Sequence, residues 1–426
     1  MVKSTGKPLS SVRKFYLLEY FYVLLKSVEK HSELELIFEL FKALKEEHRL
    51  GESKYKKLTV DNENLSQVQL VRYKYTFEKV IAESLEYELI TQEEKKIHLT
   101  EKGRKLLVQY DEGFEYFALS LFKLMEEKYE AFRSIIELLY SASKAKGGLF
   151  IFPIYSPLQL HFDRSKIRTS ADIEKYSLAL VKKLEQDIQQ YLGEKKDLSY
   201  KNKELLENLI DDELIPSKKN AEFSPIKYNA ITTRFRNFWL KYFLQEIYHY
   251  EYYLSSFEIW TYRAKQIGII HATEFYPYFN GKIIFPTSVI IKSTASSDFE
   301  KIYDYPDGYG LYVHKPNIEG NQEKFIDHLV KAYYDLRRTN RSYFISLSAL
   351  REMVCYNMKI SEYIFQQFLD SVYRANLSGE LKIKISLEVD RLPEETKAIY
   401  LKQEPVMVDG KFRNIIAIDV TKGGIR

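Results

Sequence analysis

The stretch YKYTFEKVIAESLEYELITQEEKKIHLTEKGRKLLVQY, residues 73–110, determines how the first part of the chain folds. Apolar residues at helical spacing end in an aliphatic doublet at 89–90, and a polar hairpin over 91–96 follows. A short apolar strand at 97–99 then leads to a helix that Thr100 caps. This order predicts a small domain that presents one helix and one β-hairpin on its surface.

The same order of elements recurs twice further along the chain. Between 255 and 289, a helix over 257–266 ends at Gly268, and Asn280-Gly281 predicts a hairpin turn. A third copy lies between 323 and 420, with a long excursion between its last two strands. Its predicted elements are helices over 325–338, 346–357 and 361–376 and strands over 343–345, 381–387 and 414–420.

The rest of the chain has mainly helical periodicity, so we predict a mainly α fold with small β-wings, of the α+β class. Several units of the kind just described are joined by helical segments. We expect one continuous helix over 111–140, a linker over 141–148 and a loop-rich segment over 293–320. The predicted domains are a helical N-terminal domain over 1–140, a helical middle domain over 149–254 and a C-terminal region over 255–426 with one or two further units.

Composition limits the class of protein. The 426 residues and 50.6 kDa predict two to four domains, and 64 basic against 60 acidic residues allow local nucleic-acid contacts without a bulk phosphate coat. The single cysteine, Cys355, excludes an intrachain disulfide and a thiolate zinc site, and we expect it to be buried. No signal-peptide core and no apolar run of about 20 residues is present, so we predict a cytoplasmic protein without membrane contact.

Motifs for catalysis are missing from the sequence. The eight histidines form no pair at helical metal-ligand spacing, and neither a phosphate loop ending in GK[ST] nor a Gly-x-Ser-x-Gly turn occurs. We therefore expect no catalytic residue, no cofactor and no metal, and predict that the protein is not an enzyme. A nuclease with an unrecognised site remains an open alternative.

Basic residues of the first unit are candidates for phosphate contacts. Lys74 and Lys79 lie on the predicted surface helix, and Lys95 and Lys96 lie on the hairpin. Acidic residues interleave with them and oppose phosphate binding, so protein docking remains the alternative for this unit. These acidic residues are Glu78, Glu83, Glu86, Glu88, Glu93 and Glu94.

A basic cluster near the C-terminal unit is the better candidate for DNA contact, because the first helix is so acidic. Side chains of the helix over 361–376 can read base edges or phosphates, although Glu362 and Asp370 weaken the case. The aromatic stretch over 235–260 could stack bases, but its helical spacing favours a core. The candidates are Arg337, Arg338 and Arg341, then Gln366, Gln367 and Arg374, and then Lys382 and Lys384, with Arg351 and Arg391 on the same expected surface.

Over residues 77–107 and 344–418, the sequence resembles the winged helix-turn-helix superfamily. The resemblance implies DNA contact at 73–87, 93–96, 361–376 and 382–384. The layout of several such units with a helical middle is similar to accessory subunits of bacterial defence or mobile-element systems, which implies duplex DNA and protein partners in a larger assembly. We therefore predict a non-catalytic, DNA-binding protein, with a structural adaptor that grips partner proteins as the alternative.

Overall fold

The computed structural model describes residues 15–48, 50, 67–143, 147–152, 167–222, 224–250, 254–279, 281–381, 383–389 and 406–420. The described chain is mainly helical with small antiparallel sheets, which confirms the predicted α+β class. Within these ranges, no helix has both the length and the apolar character needed to cross a bilayer. The buried apolar side chains form one continuous cluster that includes residues from Phe15 to Ile418.

The N-terminal unit contains the predicted helix and hairpin. Glu33, between the first two helices, forms an antiparallel bridge with Lys96 on the second strand of the hairpin. The second strand of the hairpin therefore lies between Glu33 and the first strand. The elements are α1 (Glu19–Lys30), α2 (Leu34–Glu47), α3 (Gln67–Glu86), β1 (Ile90–Glu93), β2 (Lys96–Leu99), α4 (Glu101–Glu112), α5 (Phe114–Tyr129) and α6 (Ala131–Ser143).

The start of α4 confirms the predicted cap. The Thr100 hydroxyl accepts a hydrogen bond from the backbone N–H of Gly103 at 3.1 Å. Gly103 is required there because a Cβ at this position would lie 2.2 Å from the carbonyl oxygen of Leu89. The helix thus packs against the turn that precedes the hairpin.

The continuous helix expected over 111–140 is wrong, because the chain bends twice. Gly113 has φ 155° and separates α4 from α5, and Glu130 has φ 47° and ends α5. The buried carboxylate of Glu126 then accepts the backbone N–H groups of Phe132 and Arg133, both at 3.0 Å, and so caps the start of α6. Apolar periodicity continues through both bends, which hid them in the sequence.

A central unit follows, with the predicted helix, turn and strands. Its three-stranded antiparallel sheet has the order β3-β5-β4. A helical segment lies between its first strand and its helix, and Thr169 begins that segment with a capping box to Asp172. The elements are β3 (Leu149–Ile151), α7 (Ser170–Leu192), α8 (Ser199–Asp211), α9 (Pro225–Tyr242) with a π-helical turn (Phe243–Ile247), α10 (Leu254–Ile267), β4 (Ile270–Thr273) and β5 (Lys282–Pro286).

The segment expected to be loop-rich instead completes a second sheet. Strands β6 (Ser288–Ile291), β7 (Phe299–Asp304) and β8 (Gly310–His314) form an antiparallel sheet of order β6-β8-β7. The prediction over 293–320 failed because the side chains of β7 do not alternate between buried and exposed. They are half-buried or exposed along the whole strand.

The C-terminal unit has the predicted helices and strands. Ser346 and Ser361 cap its second and third helices through the backbone N–H groups of Ala349 and Ile364. Its main sheet has the order β10-β13-β9, and a small hairpin lies in the excursion before the last strand. The elements are α11 (Gln322–Asn340), β9 (Ile345–Ser346), α12 (Leu347–Met358), α13 (Glu362–Leu377), β10 (Ile383–Glu388), β11 (Val406–Val408), β12 (Lys411–Arg413) and β13 (Ile415–Val420).

The three units share one strand topology. In each, the last strand lies in the centre of its sheet: β2 lies between Glu33 and β1, β5 between β3 and β4, and β13 between β9 and β10. The helix that immediately precedes β1, β4 or β10 is α3 in the N-terminal unit, α10 in the central unit and α13 in the C-terminal unit. These three helices occupy corresponding positions and can be compared directly.

Candidate nucleic-acid interface

Residues 70–79 of α3 form a mainly exposed segment with more basic than acidic side chains. Between residues 70 and 79, Arg72, Lys74 and Lys79 stand against one acidic residue, Glu78. Lys74 is exposed, and the half-buried Lys79 has its Nζ 5.1 Å from the ring centroid of Tyr75. Cations on an exposed helix are the groups that contact DNA phosphates.

The helix is held in place by contacts to α2. The Tyr73 hydroxyl donates a hydrogen bond to Glu46, and the Nζ of Lys45 lies 3.7 Å from the Tyr73 ring centroid. This fixes one side of α3 against the unit while the side with Lys74 faces solvent.

One acidic residue in the second half of α3, Glu83, is paired with a cation inside the protein. Glu83 is buried and accepts two hydrogen bonds from Arg263 of α10, at 2.6 and 3.0 Å, and one from the Tyr87 hydroxyl at 2.8 Å. Burial alone lowers the pKa of Arg263, but the charge of Glu83 brings it above its ordinary value, so the guanidinium stays charged. Glu83 therefore contributes little negative potential to the surface of the helix.

Glu88, just after α3, is also paired. Its carboxylate accepts a hydrogen bond from Lys102 at 2.5 Å, and this contact lowers the pKa of Glu88. The sequence count of acidic residues in this unit thus overstates the negative charge offered to a ligand, because Glu83 and Glu88 already have cationic partners.

The β1–β2 hairpin carries the second pair of predicted cations. Lys95 lies in its turn beside Glu94, which has φ 52°, and Lys96 stands opposite Glu93 in the strand register. All four side chains are exposed, two basic and two acidic. The hairpin is therefore close to neutral, whereas residues 70–79 of α3 include three basic residues and one acidic residue.

The helix of the central unit is not available to a ligand in the same way. From Phe257 onward α10 is largely buried, and Trp260 and Arg263 are 1% and 0% exposed. Trp239 of α9 is fully buried as well. The aromatic stretch over 235–260 thus contributes mainly to the core, as the helical spacing favoured.

The corresponding helix of the C-terminal unit begins inside the protein. Glu362, in its first turn, forms ion pairs with Lys265 of α10 at 2.8 Å and with Arg351 at 3.4 Å. Arg351 is buried, so its expected place on a basic surface is wrong. The first turn of α13 therefore packs against the central unit.

The two glutamines predicted to read bases already have partners on α13. The side-chain N–H of Gln366 donates to Asp370 at 3.3 Å, and Asp370 in turn accepts the backbone N–H of Asp409 from the β11–β12 hairpin at 3.0 Å. Gln367 is half-buried and hydrogen-bonds Tyr363. That hairpin therefore lies against the face of α13 that Gln366 occupies.

The remaining basic candidates lie at the far end of the C-terminal unit. Arg337, Arg338 and Arg341 are exposed at the end of α11, and Arg374 is exposed in the last turn of α13. Lys384 is exposed on β10, whereas Lys382 and Arg391 lie outside the described residues.

An acidic residue sits within this basic group. The Arg337 guanidinium lies 5.4 Å from the ring centroid of Tyr343, whose hydroxyl donates to Asp419 at 2.5 Å. This hydrogen bond raises the pKa of Tyr343 to about 12. Asp419 stands opposite Lys384 in the sheet, so the structure brings Arg337 and Lys384 together around a carboxylate.

One buried cluster offers the donor types that metals use. Donor atoms of His271, Glu352 and Glu362 lie within 4.8 Å of one another. His271 Nε2 contacts Glu352 Oε2 at 2.5 Å, and Arg351 donates to Glu352 Oε1 at 2.7 Å. Burial opposes the ionised form of Glu352, but Arg351 and His271 lower its pKa below the ordinary value. Arg351 and Lys265 balance the two carboxylates, so a buried divalent cation would add uncompensated charge.

Cys355 lies beside this cluster and is fully buried, as expected. Burial raises the pKa of its thiol, which disfavours the nucleophilic thiolate. The cluster links the central and C-terminal units and holds α13 in place, which is a structural task.

Two features of the interface were missed by sequence reasoning. Arg72 was not selected, although it lies only two residues before Lys74 and could have been found by charge counting. The pairing of Glu83 with Arg263 joins residues 180 positions apart, and no local pattern signals it.

Comparisons with known proteins add no family or fold assignment. No model of a known protein family matches the chain, and comparisons with curated proteins and with solved structures gave no significant match. The geometry of the site therefore carries the functional reasoning.

Proposed function

We propose that this protein binds duplex DNA through its N-terminal unit, with the first half of α3 in the major groove and the β1–β2 hairpin on the adjacent backbone. One observation carries this proposal. Among the described residues, positions 70–79 of α3 are mainly exposed and more basic than acidic, whereas the corresponding α10 is largely buried and Glu362 at the start of α13 is paired with Lys265. A major groove about 12 Å wide admits one helix.

The shared topology supports the same proposal. A helix, a strand or bridge residue, two or more helices and then two pairing strands, with the last strand in the centre of the sheet, is an order similar to that of a winged helix-turn-helix unit. In that family the helix before the hairpin enters the groove and the hairpin straddles the phosphates. We extend this assignment to all three units and propose that the central and C-terminal units use their helices for intramolecular packing.

Lysines and arginines determine the affinity in this proposal. Lys74 and Lys79 on α3 and Lys95 and Lys96 on the hairpin contact phosphates, so binding weakens as counterions accumulate. Such contacts position the protein on the duplex without reading its sequence. Val71, exposed beside them, offers an apolar contact for a thymine methyl group.

The test is a salt titration of duplex binding by the full chain, measured by fluorescence anisotropy with a labelled duplex of arbitrary sequence. Neutralising the four lysines should lower the slope of log K against log salt by up to about 3 to 4, since each phosphate contact contributes about 0.9. A control variant neutralises four exposed lysines of the α7–α9 segment. The test substitutions are K74Q, K79Q, K95Q and K96Q, and the control substitutions are K175Q, K182Q, K183Q and K218Q.

The two variants have the same net charge, so their difference isolates position from bulk charge. The proposal requires the control to keep the wild-type slope. Equal loss in both variants would reduce the effect to overall charge, and a wild-type chain that does not bind duplex at low salt would refute the proposal.

A second function, a structural adaptor, is favoured by one observation on the same helix. Leu70, Val71 and Tyr75 are 39%, 64% and 42% exposed and lie together on the first half of α3. Exposed apolar side chains on one face are typical of protein docking. On this alternative, the partners expected in a larger assembly would bind α3 instead of DNA.

Val71→Lys separates the two functions, because it adds a cation and removes an apolar contact. Affinity for a duplex of arbitrary sequence should be kept or increased in this variant, because the added phosphate contact offsets the lost contact with a thymine methyl group. Docking of a partner protein through α3 should be lost. A pull-down from the native host with and without nuclease provides the second readout: partners that survive nuclease and are lost in the variant support the adaptor.

A further inference from the structure

A polar groove on the N-terminal unit lies beside the proposed DNA-binding surface. The end of α1, the end of β2 and the first turns of α4 enclose about 310 Å³. Its polar wall contains Lys30 and His31 after α1, His98 on β2 and Arg104 on α4. All four side chains are exposed, so the groove is open to a ligand from solvent.

The fixed charges of the groove are two cations, Lys30 and Arg104, and one carboxylate, Glu29. Neither Lys30 nor Arg104 is in an ion pair with any residue that the structure describes. The acidic member of the wall, Glu29, is already paired with Lys26 at 2.7 Å, and this contact raises the pKa of Lys26. Two unpaired cations therefore stand around one cavity, together with two imidazoles that can donate hydrogen bonds.

The electrostatic effects of the two helix ends beside the groove partly cancel for a bound anion. Arg104 lies in the first turns of α4, where the helix dipole favours an anion, although Thr100 already accepts the backbone N–H groups of Gly103 and Arg104. The last turn of α1 presents carbonyl groups that disfavour one, and Lys30 in that turn compensates. The cationic side chains thus decide the preference, and a planar guanidinium suits the paired oxygens of a phosphate group.

The groove continues the cationic edge of the hairpin. His98 follows Lys96 by two positions on β2, so both side chains lie on the same face of the strand, about 7 Å apart along it. Lys96 also bridges to Glu33, two residues after His31. A nucleic-acid backbone that contacts Lys96 therefore passes the mouth of the groove.

We infer that this groove, formed by Lys30, His31, His98 and Arg104, binds a phosphate group. Its occupant is a backbone phosphodiester of the duplex held by α3 and the hairpin, and this identification of the source rests on the proposed function. Binding of that diester is intramolecular once α3 is engaged, so even a weak site contributes to total affinity.

The experiment uses the full chain with histidine side chains labelled for NMR. Inorganic phosphate is titrated against chloride at equal ionic strength, and then a short duplex is added to a separate sample. The imidazole signals of His31 and His98 should shift together and saturate, while those of His249 and His328 stay in place. Arg104→Gln should abolish the shifts, and the adjacent Lys105→Gln, outside the groove wall, should preserve them.

The two arms identify the source of the phosphate. Saturable shifts with the duplex, and a salt slope for duplex binding that Arg104→Gln lowers by about one, support a backbone diester. Saturable shifts with inorganic phosphate but an unchanged salt slope would support a free phosphate compound and overturn the diester. Absence of saturable shifts in both arms overturns the site, even if the duplex binds through α3. Shifts with phosphate in a chain that binds no duplex would refute the proposed function and leave the groove as a phosphate site.

Discussion

Replacing Arg263 by methionine should destabilise the protein by about 3–5 kcal/mol, because it leaves a carboxylate buried without its cation. The pair is enclosed, with side chains of Arg263 and Glu83 that are 0% and 4% exposed and nitrogen–oxygen distances of 2.6 and 3.0 Å. Tyr87 continues to donate to Glu83 in the variant and limits the loss. Methionine fills most of the side-chain volume, so the lost charge contributes more than a cavity does.

A double-mutant cycle isolates the ionic interaction. Glu83→Gln combined with Arg263→Met removes both charges, and it should recover at least about 2 kcal/mol of what Arg263→Met alone loses. Urea unfolding of all four proteins provides the free energies. Tryptophan fluorescence is a local probe, because the Arg263 guanidinium lies 5.2 Å from the ring centroid of Trp260.

The same variants test the electrostatic reasoning about DNA. Arg263→Met restores a negative charge to the second half of α3, so duplex affinity at low salt should fall, and the double variant should regain it. Lys102→Met is the control, since its exposed partner Glu88 is solvated without it and the unfolding midpoint should stay unchanged. Equal stability of the single and double variants would refute the view that Glu83 is a paired, buried charge.

Three further predictions concern stability. Burial raises the pKa of Glu126 from 4.5 to about 7, so its stabilising effect is complete below pH 4.5 and lost as pH rises through 7. The wild-type unfolding free energy should therefore decline by up to about 3 kcal/mol relative to Glu126→Gln across that range, and parallel profiles would contradict this. Gly103→Ala places a Cβ 2.2 Å from a carbonyl oxygen and should cost roughly 1–3 kcal/mol in urea unfolding. Gly320→Ala, with its nearest neighbour 3.4 Å away, should cost little, and equal losses would exclude the clash. Thr100→Ala removes the cap of α4 and should lower the unfolding free energy by about 1 kcal/mol, which a calorimetric midpoint would detect.

Local patterns predicted elements wherever burial alternates with a clear period. The hairpin over 90–99 and the end of α10 at Gly268 were both found this way. The breaks at Gly113 and Glu130 were missed because apolar spacing runs across them, and the cap from Glu126 comes from the preceding helix. The sheet of β6, β7 and β8 was missed because its strands lack a strong inside and outside face.

Sequence alone predicted the α+β class, the shared order of elements in three units and the lysines proposed to contact phosphate. Only the tertiary structure showed that residues 70–79 of α3 are mainly exposed while α10 is largely buried. From the count of charges in the sequence, α3 was judged too acidic for DNA contact, and the C-terminal basic cluster was preferred. In the structure, Arg263, 180 residues further along the chain, pairs with Glu83 of α3. Lys265 likewise draws the start of α13 into the protein. Whether a charge faces a ligand or its own core depends on contacts between distant residues, and these depend on packing that no local periodicity encodes.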